Sequence, residues 1–101
     1  MKVRKSMGGN TTYYFDEKDR LHRDNGPAAI HNSCDRGELN TWYRHGKIHR
    51  EDGPAIVWGN GNVEWWLQNK KHEFHEWLNA IEADTKTKLE YLMKWENHNG
   101  K

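Results

Sequence analysis

The side chains best suited to chemistry in this sequence are its seven histidines, three of which recur at related places. His22 and His49 begin near-identical tracts 27 residues apart, and His72 stands where a third tract would begin. Three imidazoles could bind one Zn²⁺, but each ligand nitrogen must then lie about 2 Å from the metal. If each tract belongs to a two-stranded unit, equivalent histidines lie about 9 to 10 Å apart. We therefore expect no shared metal site and no cofactor.

Other catalytic patterns are incomplete. The run His72-Glu73-Phe74-His75 is one residue short of the His-Glu-x-x-His zinc motif. Cys34 lies close to His31 in a predicted loop, but no feature marks it as a reactive thiolate. The sequence has neither a Gly-x-Ser-x-Gly nucleophile motif nor a glycine-rich phosphate loop. We expect no catalytic residue and no enzyme activity.

The recurring tract is the main clue to architecture. His22–Ala28 has the sequence HRDNGPA and returns as HREDGPA over His49–Ala55. Aromatic doublets precede the three histidines, at Tyr13–Tyr14, Trp42–Tyr43 and Trp65–Trp66. A fixed period indicates one supersecondary unit stacked on itself. Within each tract, we expect the histidine and the following arginine to hydrogen-bond the turn and its acidic residues, holding one unit against the next.

The composition limits the class of protein. A chain of 101 residues fits one domain, and six Trp with four Tyr predict an aromatic-rich core. A net charge of +1 disfavours a nucleic-acid partner, which usually demands a clear basic excess. The single cysteine excludes an internal disulfide, and no apolar run suggests a signal peptide or membrane span. We expect a cytoplasmic protein without a membrane partner.

Three segments follow from the hydrophobic pattern. Residues 1–10 are expected to be a flexible lead, and residues 11–72 an array of antiparallel hairpins. Within the array, Ala28–His31 should pair with Glu38–Arg44, and Ala55–Trp58 with Val63–Leu67. Residues 73–98 are expected to form a helical cap, since apolar residues there adopt a helical spacing. The predicted fold class is therefore α+β, with a hairpin meander followed by a helical pair.

Two helical stripes support that cap. The first comprises Phe74, Trp77, Leu78 and Ile81, and the second comprises Leu89, Leu92 and Met93. Asp84 or Thr85 should cap the second helix. Both stripes are expected to pack on the sheet.

Strand alternation divides the doublets between two faces of the sheet. Tyr13, Trp42 and Trp65 should share the more apolar face beneath the helices, together with Phe15, Val63 and Leu67. The opposite face should carry Tyr14, Tyr43 and Trp66 in a polar setting formed by Thr12, Thr41, Glu64 and Gln68. These three rings are either ordinary cross-strand packing or a contact surface for a partner, with Arg23 and Arg50 at its rim.

The segment Tyr43-Arg44-His45-Gly46-Lys47-Ile48-His49 resembles the aromatic-x-x-Gly-Lys-x-His core of MORN repeats, the membrane-occupation-and-recognition-nexus hairpins. The next residues depart from that family, which continues with Gly-x-Gly. The tract instead resembles the His-Arg-x-Asp-Gly-Pro-Ala repeats of small proteins from tailed phages and large viruses. The resemblance covers about residues 12 to 72. It implies a hairpin array that serves as an interaction scaffold, without the lipid binding suggested for some MORN proteins.

The leading hypothesis is therefore a non-catalytic module of a small phage protein, which binds and inhibits or redirects a host defence complex in the host cytoplasm. The second hypothesis is single-stranded nucleic-acid binding, with exposed rings stacking on bases and Arg23, Arg50, Lys70 and Lys71 contacting phosphates. A third, a small metal-dependent enzyme, requires stoichiometric bound metal. Self-association into a homo-oligomer is compatible with each.

Overall fold

The computed structural model of the chain describes residues 2–5, 10–33 and 37–95, which form nine strands and two helices. The strands are β1 (Lys2–Lys5), β2 (Thr11–Phe15), β3 (Ala29–Ser33), β4 (Gly37–Thr41), β5 (Tyr43–Arg44), β6 (Lys47–Ile48), β7 (Ile56–Trp58), β8 (Val63–Leu67) and β9 (Lys70–His72). The helices are α1 (Phe74–Ala80) and α2 (Thr85–Trp95). Cys34, residues 6–9 and residues 96–98 of the expected cap lie outside the described residues.

Seven strands form one antiparallel sheet in the order β1-β2-β3-β4-β7-β8-β9. Both predicted hairpins are present, since Ala29 pairs with Thr41 and Val57 pairs with Val63. The α+β class, with an antiparallel sheet followed by two helices, is therefore confirmed. No described helix is long and apolar enough to cross a membrane.

The second arm of the β3–β4 hairpin ends earlier than the predicted segment Glu38–Arg44. β4 ends at Thr41, and Tyr43–Arg44 instead pairs with Lys47–Ile48 in a separate two-stranded sheet. The reversal uses two consecutive residues with positive φ, His45 at 50° and Gly46 at 89°, a combination that suits the twist of a tight hairpin. The hairpin end bonds to its neighbours through Gly46 N–H to Leu21 O, at 2.7 Å, and Asn69 N–H to Ile48 O, at 2.9 Å.

The prediction of a flexible lead over residues 1–10 is wrong at Lys2–Lys5, which forms β1 at one edge of the sheet. Its register on β2 places Val3 opposite Tyr14 and Arg4 opposite Tyr13. Hydrogen bonds to β2 satisfy the backbone groups of this strand, and the polar composition of residues 1–10 did not indicate this pairing. Charged residues at this edge are typical of a strand protected against edge-to-edge pairing.

The core lies where α1 covers β8. Trp65, 2% exposed, places its ring centroid 4.8 Å from that of Phe74 and 4.5 Å from that of Trp77. Leu78 and Ile81 complete this buried cluster, against which Val63 and Leu67 pack. The first predicted stripe is thus confirmed, including Ile81 directly after the helix end.

α2 corrects part of the second stripe. Leu89 and Met93 are 53% and 83% exposed, so they do not pack on the sheet. Leu92 packs against the core as predicted. Tyr91 and Trp95 accompany it in place of Leu89 and Met93, because two large aromatic rings bury more apolar area. Asp84 Oδ1 accepts the Thr87 N–H at 2.8 Å, which confirms Asp84 as the N-cap.

Candidate functional site

The histidine that opens each tract connects that tract to the following tight turn. In the second tract, Nδ1 of His49 accepts the Gln68 N–H at 3.1 Å, while Nε2 lies 2.8 Å from Glu51 Oε2. In the first tract, the corresponding contacts are His45 N–H to His22 Nδ1 at 3.1 Å and His22 Nε2 to Asp24 at 2.8 Å.

Both histidine residues are buried, each 7% exposed. Because Nδ1 accepts a backbone N–H, the ring proton belongs on Nε2, which donates it to the carboxylate. These contacts confirm the predicted structural role of His22 and His49. In the part of the chain that the structure describes, no group of three or more His, Cys, Asp or Glu side chains is placed to hold a metal ion.

The arginine after each histidine lies over an aromatic ring. Arg50 Cζ is 3.9 Å from the Trp42 ring centroid, Nε donates to Asp52 Oδ1 at 2.7 Å, and Nη1 donates to Pro54 O at 2.9 Å. Gly53 lies beneath this guanidinium, and an added Cβ, 2.7 Å from Arg50 Cζ, would displace it. The predicted bonding of the arginine to its own turn is therefore confirmed.

Arg23 makes most of the same contacts in the first tract. Its Cζ lies 3.9 Å from the Tyr14 centroid, and Nη1 donates to Pro27 O at 3.3 Å. The position that corresponds to Asp52 holds Asn25. In the second tract the arginine is therefore paired with the carboxylate of Asp52, whereas the matching residue of the first tract, Asn25, carries an amide.

The predicted aromatic doublet Tyr13–Tyr14 is misplaced by one residue. Tyr14 N–H bonds to Ala28 O at 2.8 Å, as Trp42 N–H bonds to Ala55 O at 2.7 Å. Tyr14 is thus the counterpart of Trp42, and Phe15 is the counterpart of Tyr43. The reason is that the turn between Tyr14 and His22 is one residue longer than the turn between Trp42 and His49, since the separations are 8 and 7 positions.

This shift moves Tyr14 to the opposite face from the predicted one, because a one-residue slip reverses every side chain of a strand. Residues paired directly across strands share a face. Val63 packs on the helical core, so its face of the sheet is the one that the helices cover. Direct cross-strand partners extend this face from Val63 to Val57, Asn40, Ile30 and finally Thr12 on β2. We call this the inner face; it includes Tyr14, while Tyr13 and Phe15 lie on the other side, contrary to the prediction.

The outer face is the side of the sheet turned away from the helices. By register, its large apolar residues are Tyr13, Phe15, Leu39, Ile56, Trp58 and Trp66. Each is half-buried, and none belongs to the cluster packed by α1 and α2. Trp66 Nε1 donates to Glu64 Oε1 at 3.0 Å.

Tyr43 and Trp66 retain their predicted equivalence. The Tyr43 carbonyl accepts the Arg23 N–H at 3.4 Å, and the Trp66 carbonyl accepts the Arg50 N–H at 3.2 Å. The predicted site is therefore divided: Tyr43 and Trp66 occupy matching positions, with Phe15 rather than Tyr14 as their counterpart, whereas Tyr14 lies with Arg23 on the inner face.

Third in the inner series is Trp65, the counterpart of Trp42. The histidine that corresponds to His22 and His49 is here His72, and Glu73 rather than an arginine follows it. The Trp65 ring is covered by Phe74 and Trp77 of α1. The Trp77 Nε1–H donates to Arg50 O at 2.8 Å, which connects the helix to the second tract. Helical aromatics thus occupy the place where arginines stack in the two tracts.

Two adjoining cavities lie beside the second tract. They measure about 320 and 310 Å³ and share Trp42, Arg50, Asp24 and Asp52. Tyr91 of α2 lines the larger cavity, and burial together with the charge of Asp52 raises the pKa of its phenol. Cations and carboxylates both line these cavities, so neither anions nor cations are clearly favoured there.

Asp16 organises the turn between β2 and Leu21, a role that the sequence analysis did not predict. Its carboxylate accepts the His45 Nδ1–H at 2.8 Å, the Arg20 Nε–H at 2.9 Å and the backbone N–H groups of Lys18 and Arg20. The His45 hydrogen bond is the main cause that holds the pKa of Asp16 far below its usual range. His45 also stacks on His22, with ring centroids 4.0 Å apart. An aspartate before a polar turn signals the local bonds, but its pairing with His45 depends on the tertiary fold.

No protein-family model matches the chain, and neither a curated protein nor a solved structure matches it.

Proposed function

We propose that this chain is a non-catalytic protein-binding module built from MORN-like hairpin repeats, and that it contacts its partner through the outer face. The observation that carries the proposal is the set of half-buried large apolar residues there, which the described helices leave uncovered. Apolar patches of this kind on a small domain mark contact surfaces. Phe15 and Trp66 are aromatic residues of this face, and Tyr43 occupies the matching position on β5 of the separate two-stranded sheet.

The partner is a protein with an apolar contact surface, from a defence complex of the host cell of a phage. The resemblance of both tracts to the His-Arg-x-Asp-Gly-Pro-Ala repeats of small phage proteins supports this source. A sheet face that offers Tyr and Trp with few free charges suits a protein surface, since aromatic residues dominate binding hot spots. The module acts by occupying that surface, in the cytoplasm of the host.

Contacts within the tracts favour a protein over single-stranded nucleic acid. Arg50 already stacks on Trp42 and bonds to Asp52 and Pro54, and Arg23 stacks on Tyr14. These guanidinium groups are engaged within their own tracts, which leaves fewer of their N–H donors for phosphates. Of the two predicted lysine ligands, Lys70 and Lys71, the Lys71 Nζ lies 3.5 Å from Glu64 Oε2.

Affinity capture with matched variants tests the proposal. The wild type, Trp66→Ala and Met93→Ala are immobilised and exposed to host lysate, and bound proteins are identified by mass spectrometry. Met93, 83% exposed on α2, provides the control for general loss of surface apolar area. We expect one protein complex to bind the wild type and Met93→Ala and to be lost with Trp66→Ala. Equal recovery by all three proteins would contradict use of the outer face.

Oligonucleotide binding and self-association complete the test. Tight binding of single-stranded DNA that weakens steeply with salt would favour the nucleic-acid hypothesis instead. Light scattering of the purified chain detects a homo-oligomer, and a dimer abolished by Trp66→Ala would mean that the outer face serves self-association rather than host binding.

A further inference from the structure

Three Asn-Gly pairs occur in the sequence, at Asn25–Gly26, Asn60–Gly61 and Asn99–Gly100. In such a pair no side chain shields the glycine nitrogen, so this nitrogen can approach the asparagine side-chain carbonyl closely. The third pair lies outside the described residues. The first two differ in how the fold holds the reacting groups.

The pair Asn60–Gly61 is held by hydrogen bonds at the tip of the β7–β8 hairpin. Asn60 Oδ1 accepts the Asn62 N–H at 3.0 Å, and the Gly61 N–H donates to Trp58 O at 3.0 Å. Attack of the Gly61 nitrogen on the Asn60 side chain therefore requires both bonds to open first.

The pair Asn25–Gly26 is held differently. Asn25 is exposed, and among the described residues no hydrogen bond engages its side-chain amide or the Gly26 N–H. The Arg23 guanidinium lies directly against Gly26, since a Cβ built there would be 3.2 Å from Arg23 Cζ. A cation beside the Asn-Gly pair can stabilise the negative charge that develops when an amide nitrogen attacks a carbonyl.

We propose that Asn25 is a self-modification site, at which the chain converts this residue to aspartate and gives Arg23 a carboxylate partner. The Gly26 nitrogen loses its proton and bonds to Asn25 Cγ, and the side-chain amide takes up a proton and leaves as ammonia. A five-membered succinimide results. Water then opens the ring: addition at Cγ yields aspartate, and addition at the backbone carbonyl yields isoaspartate. The only co-reactant is water.

The second tract shows the contact that the aspartate product would make. There Asp52, at the position that corresponds to Asn25, accepts the Arg50 Nε–H at 2.7 Å while Arg50 stacks on Trp42. Arg23 already stacks on Tyr14 at the same distance of 3.9 Å. Conversion of Asn25 therefore reproduces the arginine-carboxylate pair of the second tract and lowers the net charge of the chain by one.

Peptide mass mapping tests the reaction on the purified full chain, incubated at mildly alkaline pH and digested at intervals. The Asn25 peptide should gain the mass of deamidation about tenfold faster than the Asn60 peptide, because two hydrogen bonds must open before attack at Asn60. In denaturant the two rates should become similar. Asn25→Gln should abolish the change in its peptide, since glutamine must form a larger ring. An intact Asn25, or an Asn60 that reacts as fast in the folded chain, would overturn the proposal.

The Asn99 peptide is followed separately so that it does not contribute to either rate. The product contact is tested with Asn25→Asp in the wild-type chain and in an Arg23→Gln background. We expect Asn25→Asp to give a more favourable change in melting temperature when Arg23 is present. An equal change in both backgrounds would overturn the pairing of the new carboxylate with Arg23.

Discussion

The guanidinium of Arg50 lies over the indole of Trp42, with Cζ 3.9 Å from the ring centroid. The same side chain bonds to Asp52 and to the Pro54 carbonyl, so one residue fixes the ring, the turn and the chain entering β7. Arginine suits this place because its planar fork can stack and donate several hydrogen bonds at once.

We expect Arg50→Lys to lower the free energy of unfolding by about 1 to 2 kcal/mol, because an ammonium cannot reproduce both the stacking and the forked hydrogen bonds. Urea unfolding of the variant measures the loss. Arg44→Lys is the matched control, since Arg44 is exposed on β5. Equal stability of the two variants would show that the Trp42 stack contributes little.

The buried histidines provide a second test. His49→Ala should lower the free energy of unfolding by about 1 to 3 kcal/mol, since the ring leaves two hydrogen-bond partners behind. His49→Asn should recover part of the loss, because its side-chain oxygen can accept the Gln68 N–H that His49 Nδ1 accepts. Thermal unfolding of both variants checks the order. If alanine is tolerated as well as asparagine, the connection to Gln68 is not stabilising.

Among the described residues, Trp77 is the largest fully buried side chain, and it connects α1 to the second tract through its indole N–H. Trp77→Ala should lower the free energy of unfolding by about 3 to 5 kcal/mol, as for other large aromatic side chains removed from cores. Met93→Ala, at an 83% exposed position, should be neutral. Unchanged melting of Trp77→Ala would mean that the helix contributes nothing to the sheet.

Alternation and turn chemistry predicted the β3–β4 and β7–β8 hairpins from the sequence, and a helical period predicted α1. Both signals are local, so they survive without tertiary information. An N-cap at Asp84 or Thr85 was likewise predicted, since capping depends on the first turn of the helix alone, and the structure selects Asp84. Edge strand β1 was missed because its pairing with β2 depends on a distant partner rather than on its own polar sequence.

The error at Tyr14 has a particular cause. Tyr13, Tyr14 and Phe15 form a run of three rings, and sequence alone cannot say which two correspond to Trp42–Tyr43. The first turn is one residue longer than the second, and only the hydrogen bonds of Tyr14 to Ala28 and His22 reveal the alignment. Since a strand alternates with period two, this single position exchanged the faces of Tyr14 and Phe15.

Asp16 should make the protein sensitive to acid. Its folded-state pKa is depressed, chiefly by the hydrogen bond from His45, so its contribution to stability is present above the unfolded pKa and is lost as pH falls through the folded value. Melting temperature should therefore fall as pH drops below the usual aspartate range. Asp16→Asn should lower the melting temperature at neutral pH and reduce this dependence. A parallel pH profile for wild type and variant would contradict the assignment to Asp16.

The last prediction separates the two faces at adjacent residues. Tyr14 stacks beneath Arg23 on the inner face, while Phe15 and Trp66 lie on the outer face. If the outer face binds the partner, Phe15→Ala and Trp66→Ala should each weaken binding by about 2 kcal/mol or more. Tyr14→Ala should chiefly lower stability, because it removes the surface on which Arg23 stacks.

Titration of the captured partner against each variant by calorimetry, with melting temperatures measured in parallel, distinguishes these effects. Trp65→Ala serves as the stability reference, since Trp65 is 2% exposed in the core. Loss of binding with Tyr14→Ala at unchanged stability, together with full binding by Phe15→Ala, would place the contact surface on the inner face. The tract cavities around Trp42 and Arg50 would then become the surface to test.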